Sequence, residues 1–175
     1  NNASSLIVDN LSLFSSLNKE KYVLDLACGS GRNGLFLLDN DIRIVFADKN
    51  KAALNKIVTA VPLNSEGRYK CWEVDLERRL KNPLKIEAYS SILIFNYLHR
   101  PLFPAIKAAV TRGGLIFYET FTERQPSFGR PKNPNYLLKE NELLQEFESW
   151  EIIFCFEGIM LKPERAVSSV IARKP

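Results

Sequence analysis

The stretch Val23–Gly34, VLDLACGSGRNG, decides the fold. It begins as an apolar strand interrupted only by Asp25, turns through glycines, and runs on into the helical pattern RNGLFLLDN. The spacing Gly29-x-Gly31-x-x-Gly34 is the glycine fingerprint of a strand–turn–helix unit that binds a dinucleotide. Alone it is a weak signal, and a carboxylate at the end of its strand fits a dinucleotide poorly. The rest of the chain decides which ligand the turn holds.

Outward from this unit, strand-like and helix-like patterns alternate. Residues 42–48 (IRIVFAD), 69–76 (YKCWEVDL), 91–96 (SILIFN) and 115–120 (LIFYET) read as further strands. Helices are expected at 51–61, stopped by Pro62, and at 104–110 before an RGG turn. A polar helical stretch is expected between the third and fourth strands, ending near Pro83. An amphipathic helix over Ser5–Leu17 leads the chain, and LKENELLQEFES (138–149) reads as the last helix. Two final strands, WEIIFCFE and AVSSVIAR, have no helix between them and so form a hairpin, with one strand reversed. This order predicts an α/β doubly wound, Rossmann-like, mostly parallel seven-stranded sheet covered by helices on both faces.

Length and composition agree. One domain is expected for 175 residues: a leading helix to residue 20, a ligand-binding core to 120, then a loop, helix and hairpin on the substrate side. The net charge of +4, from 24 basic and 20 acidic residues, permits an anionic partner without demanding nucleic acid. No apolar run reaches the ~20 residues of a membrane helix, and no signal peptide is evident. Cys28, Cys71 and Cys155 are dispersed, which argues against a disulfide framework or a zinc site and makes a reducing cytoplasm the expected setting.

In doubly wound sheets, ligands bind outside the carboxyl ends of the strands. Here those ends carry Asp25, Asp48, Asp75, Asn96–Tyr97 and Glu119. A pyrophosphate would sit against the first turn, where Asp25 repels it. S-adenosylmethionine has no phosphate; it has an ammonium, a sulfonium, a ribose diol and an adenine. Asp25 suits the ammonium, directly or through water. Gly29 and Gly31 let the backbone approach closely. Asp48, 19 residues beyond Gly29, suits the ribose hydroxyls. Asp75 suits the adenine amine, with the Leu76 N–H beside it.

With these residues in place, the chain resembles the class I S-adenosylmethionine-dependent methyltransferases. LDLACGSGRNG is similar to their first motif, with Ala27 where that motif has its first glycine. FADKN and EVDLE resemble the second- and third-strand motifs, and VTRGGLIFYE the turn and strand that usually read Pro-Gly-Gly. Within the class, GRN and the segment LLKENELLQEFESWEIIFCFEG resemble the small tellurite-resistance-type enzymes; FNYLHRPLFPAI departs from them. The resemblance implies the fold, methyl transfer from sulfur, and cofactor contacts that extend to Ala27, Asn33, Lys49, Asn96 and Tyr97.

Methyl transfer is an in-line displacement, so the protein must align the nucleophile and, where needed, deprotonate it. The residues after strand four are Asn96-Tyr97-Leu98-His99-Arg100, not the Asn-Pro-Pro-Tyr of enzymes that methylate planar amines. His99, the single histidine, is a candidate base or else a helix-start residue beside Pro101. Arg100 is a candidate anion ligand or a solvated loop residue. Cys28 reads as a small packing residue. The 16-residue segment FTERQPSFGRPKNPNY carries Arg124, Arg130 and Lys132 and reads as a binding loop or lid, against the alternative of a solvated loop. Arg165 loosely matches a region where tellurite-type enzymes carry substrate-facing bases. The expectation is a methyltransferase for a small acceptor, with an RNA or protein methyltransferase and a non-catalytic cofactor-binding module as rivals.

Overall fold

Seven strands form one sheet in the order β3-β2-β1-β4-β5-β7-β6. The computed structural model describes residues 3–78 and 82–175. β1 (Tyr22–Leu26) lies between β2 (Ile44–Asp48) and β4 (Tyr89–Phe95), parallel to both. β3 (Tyr69–Glu73) extends the sheet beyond β2, and β5 (Val110–Phe121) extends it beyond β4, again in parallel. β7 (Glu164–Arg173) runs antiparallel to both β5 and the edge strand β6 (Glu151–Leu161). The predicted reversed hairpin is therefore present. The chain grows from β1 to β3 in one direction and then crosses to β4, which opens a crevice at the carboxyl ends of β1 and β4.

Alternation along each strand splits the core into two layers. Val23, Phe46, Leu93, Phe117 and Ile171 face one layer, packed on α1 (Ser5–Val8), α2 (Arg32–Asp39) and α3 (Lys51–Ala60) through Ile7, Leu37 and Ile57. Leu24, Ile92, Ile116 and Val170 face the other, against α4 (Phe103–Ala109) and the segment around α5 (Glu142–Glu146) through Ile106, Leu143 and Phe147. Asp25 lies within β1, in register with Phe46 and Leu93, and is 3% exposed. No helix among the described residues is long and apolar enough to cross a membrane.

Four expectations about local structure need correction. The leading helix is not continuous: α1 stops at Val8 and residues Leu11–Ser16 form a 3-10 turn. The Asn10 amide donates to Leu6 O at 3.0 Å, and the Ser15 and Ser16 hydroxyls donate to carbonyls three residues back. Such bonds compete with the helical ladder. Phe14 still reaches the core, stacked on Phe117 at 4.9 Å. Between β3 and β4, the described residues 74–78 and 82–88 hold no helix; residues 79–81 lie outside the described residues. Asp75 and Asn82 accept amides two residues ahead, a turn-forming pattern. The last helix shrinks to Glu142–Glu146, because Leu138 bridges to Thr122 and Asn141 sits in the left-handed region at φ 57°. Finally, the RGG turn lies inside β5, which starts at Val110.

Candidate active site

The glycine turn is built from the inside out. Cys28 N donates to Ala47 O at 3.0 Å, and Gly31 N donates to Cys28 O at 2.9 Å, so the turn folds back over the end of β2. Gly31 starts α2 at φ 72°, and a methyl there would come within 2.7 Å of Ile57 Cδ1. At Gly34 a methyl would meet Asp25 Oδ2 at 2.8 Å and press into the Phe46 ring. This close approach lets Gly34 N donate to Asp25 Oδ2 at 3.0 Å. Ala27 holds φ 54°, a strained conformation for a residue with a β-carbon.

Asp25 supports this turn from below and does not line the cleft above it. Burial pushes its carboxyl up to about 7, with the Gly34 amide and Arg32 pulling the other way and Asp48 adding to the rise. Burial likewise raises the Cys28 thiol, helped by Asp25 and Asp48, so Cys28 is a poor nucleophile.

The cleft beside the turn has a volume of about 240 Å³. Its walls include Ala27, Asp48, Lys49, Asp75, Leu76 and Tyr97. Val74, Glu77 and Asn96 complete the rim. Asp48 is held rigidly: Oδ2 accepts from Gly29 N and Oδ1 from Asn50 N, each at 2.8 Å. Asp75 Oδ1 accepts from Glu77 N at 3.0 Å. Tyr97 is half-buried, its hydroxyl sealed without a partner, and its pKa is raised by burial and then by Glu77, Asp75 and Asp48. Tyr118 Oη donates to Tyr97 O at 3.0 Å, which fixes the backbone after β4.

The cleft fits a phosphate-free nucleoside. Three carboxylates face it against one base, Lys49, so a pyrophosphate is disfavoured, whereas hydroxyl and amine donors are welcome. Nothing lies within 4 Å of where a Gly29 β-carbon would be, so the backbone is open to a ligand there. Asp48, Asp75, Leu76, Asn96 and Tyr97, all expected from the sequence, come together with Ala27 and Lys49. Glu77 was not expected; its place two residues after Asp75 was the available signal.

Other expected residues lie elsewhere. Asn33 is buried and its Oδ1 accepts from Ser4 N at 2.9 Å, so its side chain anchors the N-terminal segment. Arg100, read from the sequence as an anion ligand or a solvated loop residue, pairs with Glu142. Its Nε and Nη2 donate to the two carboxylate oxygens at 2.5 and 2.8 Å, and Nη2 also donates to Leu137 O at 2.8 Å. This pairing raises the Arg100 pKa and holds Glu142 below the usual carboxylate range. His99 is half-buried and caps a 3-10 turn through its backbone, with Leu102 N donating to its carbonyl. Arg165 donates to Glu119 Oε1 at 2.9 Å, and Ser169 Oγ donates to Glu119 Oε2 at 2.9 Å. Glu119 is 2% exposed, so its charge and that of Arg165 balance beneath the surface.

The loop after β5 is fixed at its root. Thr122 bridges to Leu138, and buried Gln125 accepts from Ala166 N while donating to Arg130 O. It is therefore a preformed loop with close ends, with Arg124, Arg130 and Lys132 exposed on it.

The chain matches the family model described as tellurite resistance protein TehB over residues 9–161. No curated protein sequence matches it. Among solved structures, TehB from Haemophilus influenzae is similar at 20% identity and a TM-score of 0.73. That match covers 97% of this chain and 61% of TehB, so the chain spans about three fifths of that relative. A SAM-dependent methyltransferase from Methanosarcina mazei is similar at 14% identity and a TM-score of 0.70, covering 98% of each chain. Geranyl diphosphate C-methyltransferase from Streptomyces coelicolor A3(2), solved with S-adenosyl-L-homocysteine, is similar at 12% identity and a TM-score of 0.70, over 94% of this chain and 75% of that one. At these identities the structures speak for the fold, and the family match carries the assignment: the chain belongs to the TehB family of tellurite resistance proteins and has the S-adenosylmethionine-dependent methyltransferase fold.

Proposed function

We propose that the chain transfers the methyl group of S-adenosylmethionine to a small acceptor that enters beside the loop after β5. The observation that carries this reading is the acidic cleft next to the glycine turn, with Asp48 locked to Gly29 and Asp75 across from it. When bound, the cofactor supplies a methyl carbon already activated by its sulfonium. The protein's own part is placement. Asp48 accepts the ribose hydroxyls without reorganising, because two backbone amides already fix it. Asp75 accepts from the adenine amine, and Leu76 offers its backbone N–H. Ala27 and Gly29 present backbone to the ligand, Asn33 holds the turn through Ser4, and Lys49, Asn96 and Tyr97 close the rim. Asp25, buried beneath the turn, holds the turn in shape through the Gly34 amide rather than meeting the ammonium itself.

The acceptor side rests on His99 and on Arg124, Arg130 and Lys132. The three loop bases have no carboxylate partner among the described residues, so they favour an acceptor that carries negative charge. Arg165 contributes only to the extent that an acceptor competes with Glu119. A carboxylate, thiolate or oxyanion already has a free lone pair, which leaves His99 with orientation rather than proton removal.

Incubation with methyl-labelled S-adenosylmethionine and a metabolite extract tests the proposal. Label in a small product, with release of S-adenosylhomocysteine, is the expected outcome. Label confined to RNA or protein would contradict the small acceptor. Tight S-adenosylhomocysteine binding without turnover in any fraction would mark a binding module.

A further inference from the structure

At the other end of the sheet lies a cavity of about 470 Å³ that plays no part in the reaction proposed above. It opens between the 3-10 turn, the start of β1 and the connection from α2 to β2. Val23 lines this cavity, whereas Ala27 lines the cofactor cleft. Four residues of strand, at ~3.3 Å each, separate the two by roughly 13 Å.

The floor is apolar: Leu11, Phe14, Leu17, Val23 and Ile42. The rim is cationic, with Lys19, Lys21, Arg43 and Arg68. Arg68 is neutralised by Asp41 at 2.8 Å. The other three are not. Lys21 donates to the Glu87 carbonyl at 3.1 Å, and Arg43 donates to the Glu20 carbonyl at 3.1 Å and to Tyr22 Oη at 2.8 Å. No carboxylate pairs with Lys19, Lys21 or Arg43 among the described residues. The Arg43 guanidinium also lies over the Tyr22 ring, 4.2 Å from its centroid. Three cations without a carboxylate partner around one rim repel one another, and an anion nearby relieves them.

We propose that this cavity is a second binding site, for a small amphipathic anion such as an aromatic or medium-chain carboxylate. Its apolar body lies against the half-buried Leu11 and Ile42, which cover the buried Phe14, Leu17 and Val23, and its carboxylate meets Lys19, Lys21 and Arg43. Each half of the site selects. A bare inorganic anion leaves the apolar floor in water, a neutral hydrocarbon leaves the cations uncompensated, and an amphipathic cation is repelled. Few convergent polar groups over an apolar floor are the general signature of a small-molecule site, and the volume lies within the usual range of roughly 300–1,000 Å³.

The probes are octanoate, acetate, octan-1-ol and octylammonium, each at low millimolar concentration with the whole chain, followed by amide chemical shifts and thermal unfolding. Octanoate is expected to shift resonances of residues 11–23 and 40–43, to raise the melting temperature, and to bind at least tenfold more tightly than the other three. Lys19→Glu/Lys21→Glu is expected to weaken octanoate by tenfold or more and to leave S-adenosylhomocysteine affinity unchanged. Octanoate binding no better than octan-1-ol or octylammonium would overturn the proposal. Competition with S-adenosylhomocysteine, or full octanoate affinity in the double variant, would overturn it too. If the double variant does not fold, the four-probe comparison on the wild-type chain still decides.

Discussion

Asp25→Asn isolates the cost of keeping a carboxyl beneath the glycine turn. In the folded chain the Asp25 pKa rises from 3.8 to about 7, chiefly through burial. Three pKa steps at about 1.36 kcal/mol each bound the penalty for the ionised form at about 4 kcal/mol. The sign follows from proton counts. Below about pH 4 the group is protonated in both states. Between about pH 4 and 7 the unfolded chain has lost the proton and the folded chain keeps it, so stability falls as pH rises. Above about pH 7 both states are ionised and the full penalty stands. Asparagine does not titrate, yet its carbonyl still accepts from Gly34 N. The variant should therefore gain on the wild type as pH rises from 4 to 7.5, by up to about 4 kcal/mol, and the gap should then level off. Urea unfolding at a series of pH values, followed by the fluorescence of Trp72 and buried Trp150, measures this directly. A stability difference that stays constant with pH would refute the reasoning.

Asp48→Ala removes the acceptor of two amides and of the proposed ribose contact; S-adenosylhomocysteine affinity should fall roughly tenfold to a hundredfold, about 1.5–3 kcal/mol, in calorimetry. Arg100→Ala should leave that affinity unchanged but destabilise the chain by about 1–2 kcal/mol in urea unfolding, because it breaks a largely buried bidentate pair. Arg165→Met strands the buried Glu119 charge and should cost about 3–5 kcal/mol, most of it recovered when Glu119→Gln is added; absence of recovery would show that the pair is not the cause. Ala27→Gly should stabilise by up to about 1 kcal/mol, since it relieves the φ of 54°.

The sequence made the sheet legible because burial on both faces writes itself as apolar runs, and Asp25, Asp48 and Asp75 interrupt or end those runs where ligands bind. The cleft residues Asp48, Asp75 and Leu76 followed from that position alone. What stayed hidden depends on partners distant in sequence. Arg100 looked like a free cation until Glu142, 42 residues on, came alongside it. Asn33 looked like part of the cofactor turn until Ser4 approached from the N-terminal segment. Helix ends misled for a local reason: Asn10, Asp75 and Asn82 bond to nearby backbone, which period counting does not register.

Calorimetric titration with S-adenosylhomocysteine and with NAD, at matched concentrations, tests the central claim most directly. Three carboxylates against one lysine in the cleft predict measurable binding of S-adenosylhomocysteine and none of NAD. Binding of NAD with no binding of S-adenosylhomocysteine would contradict the account.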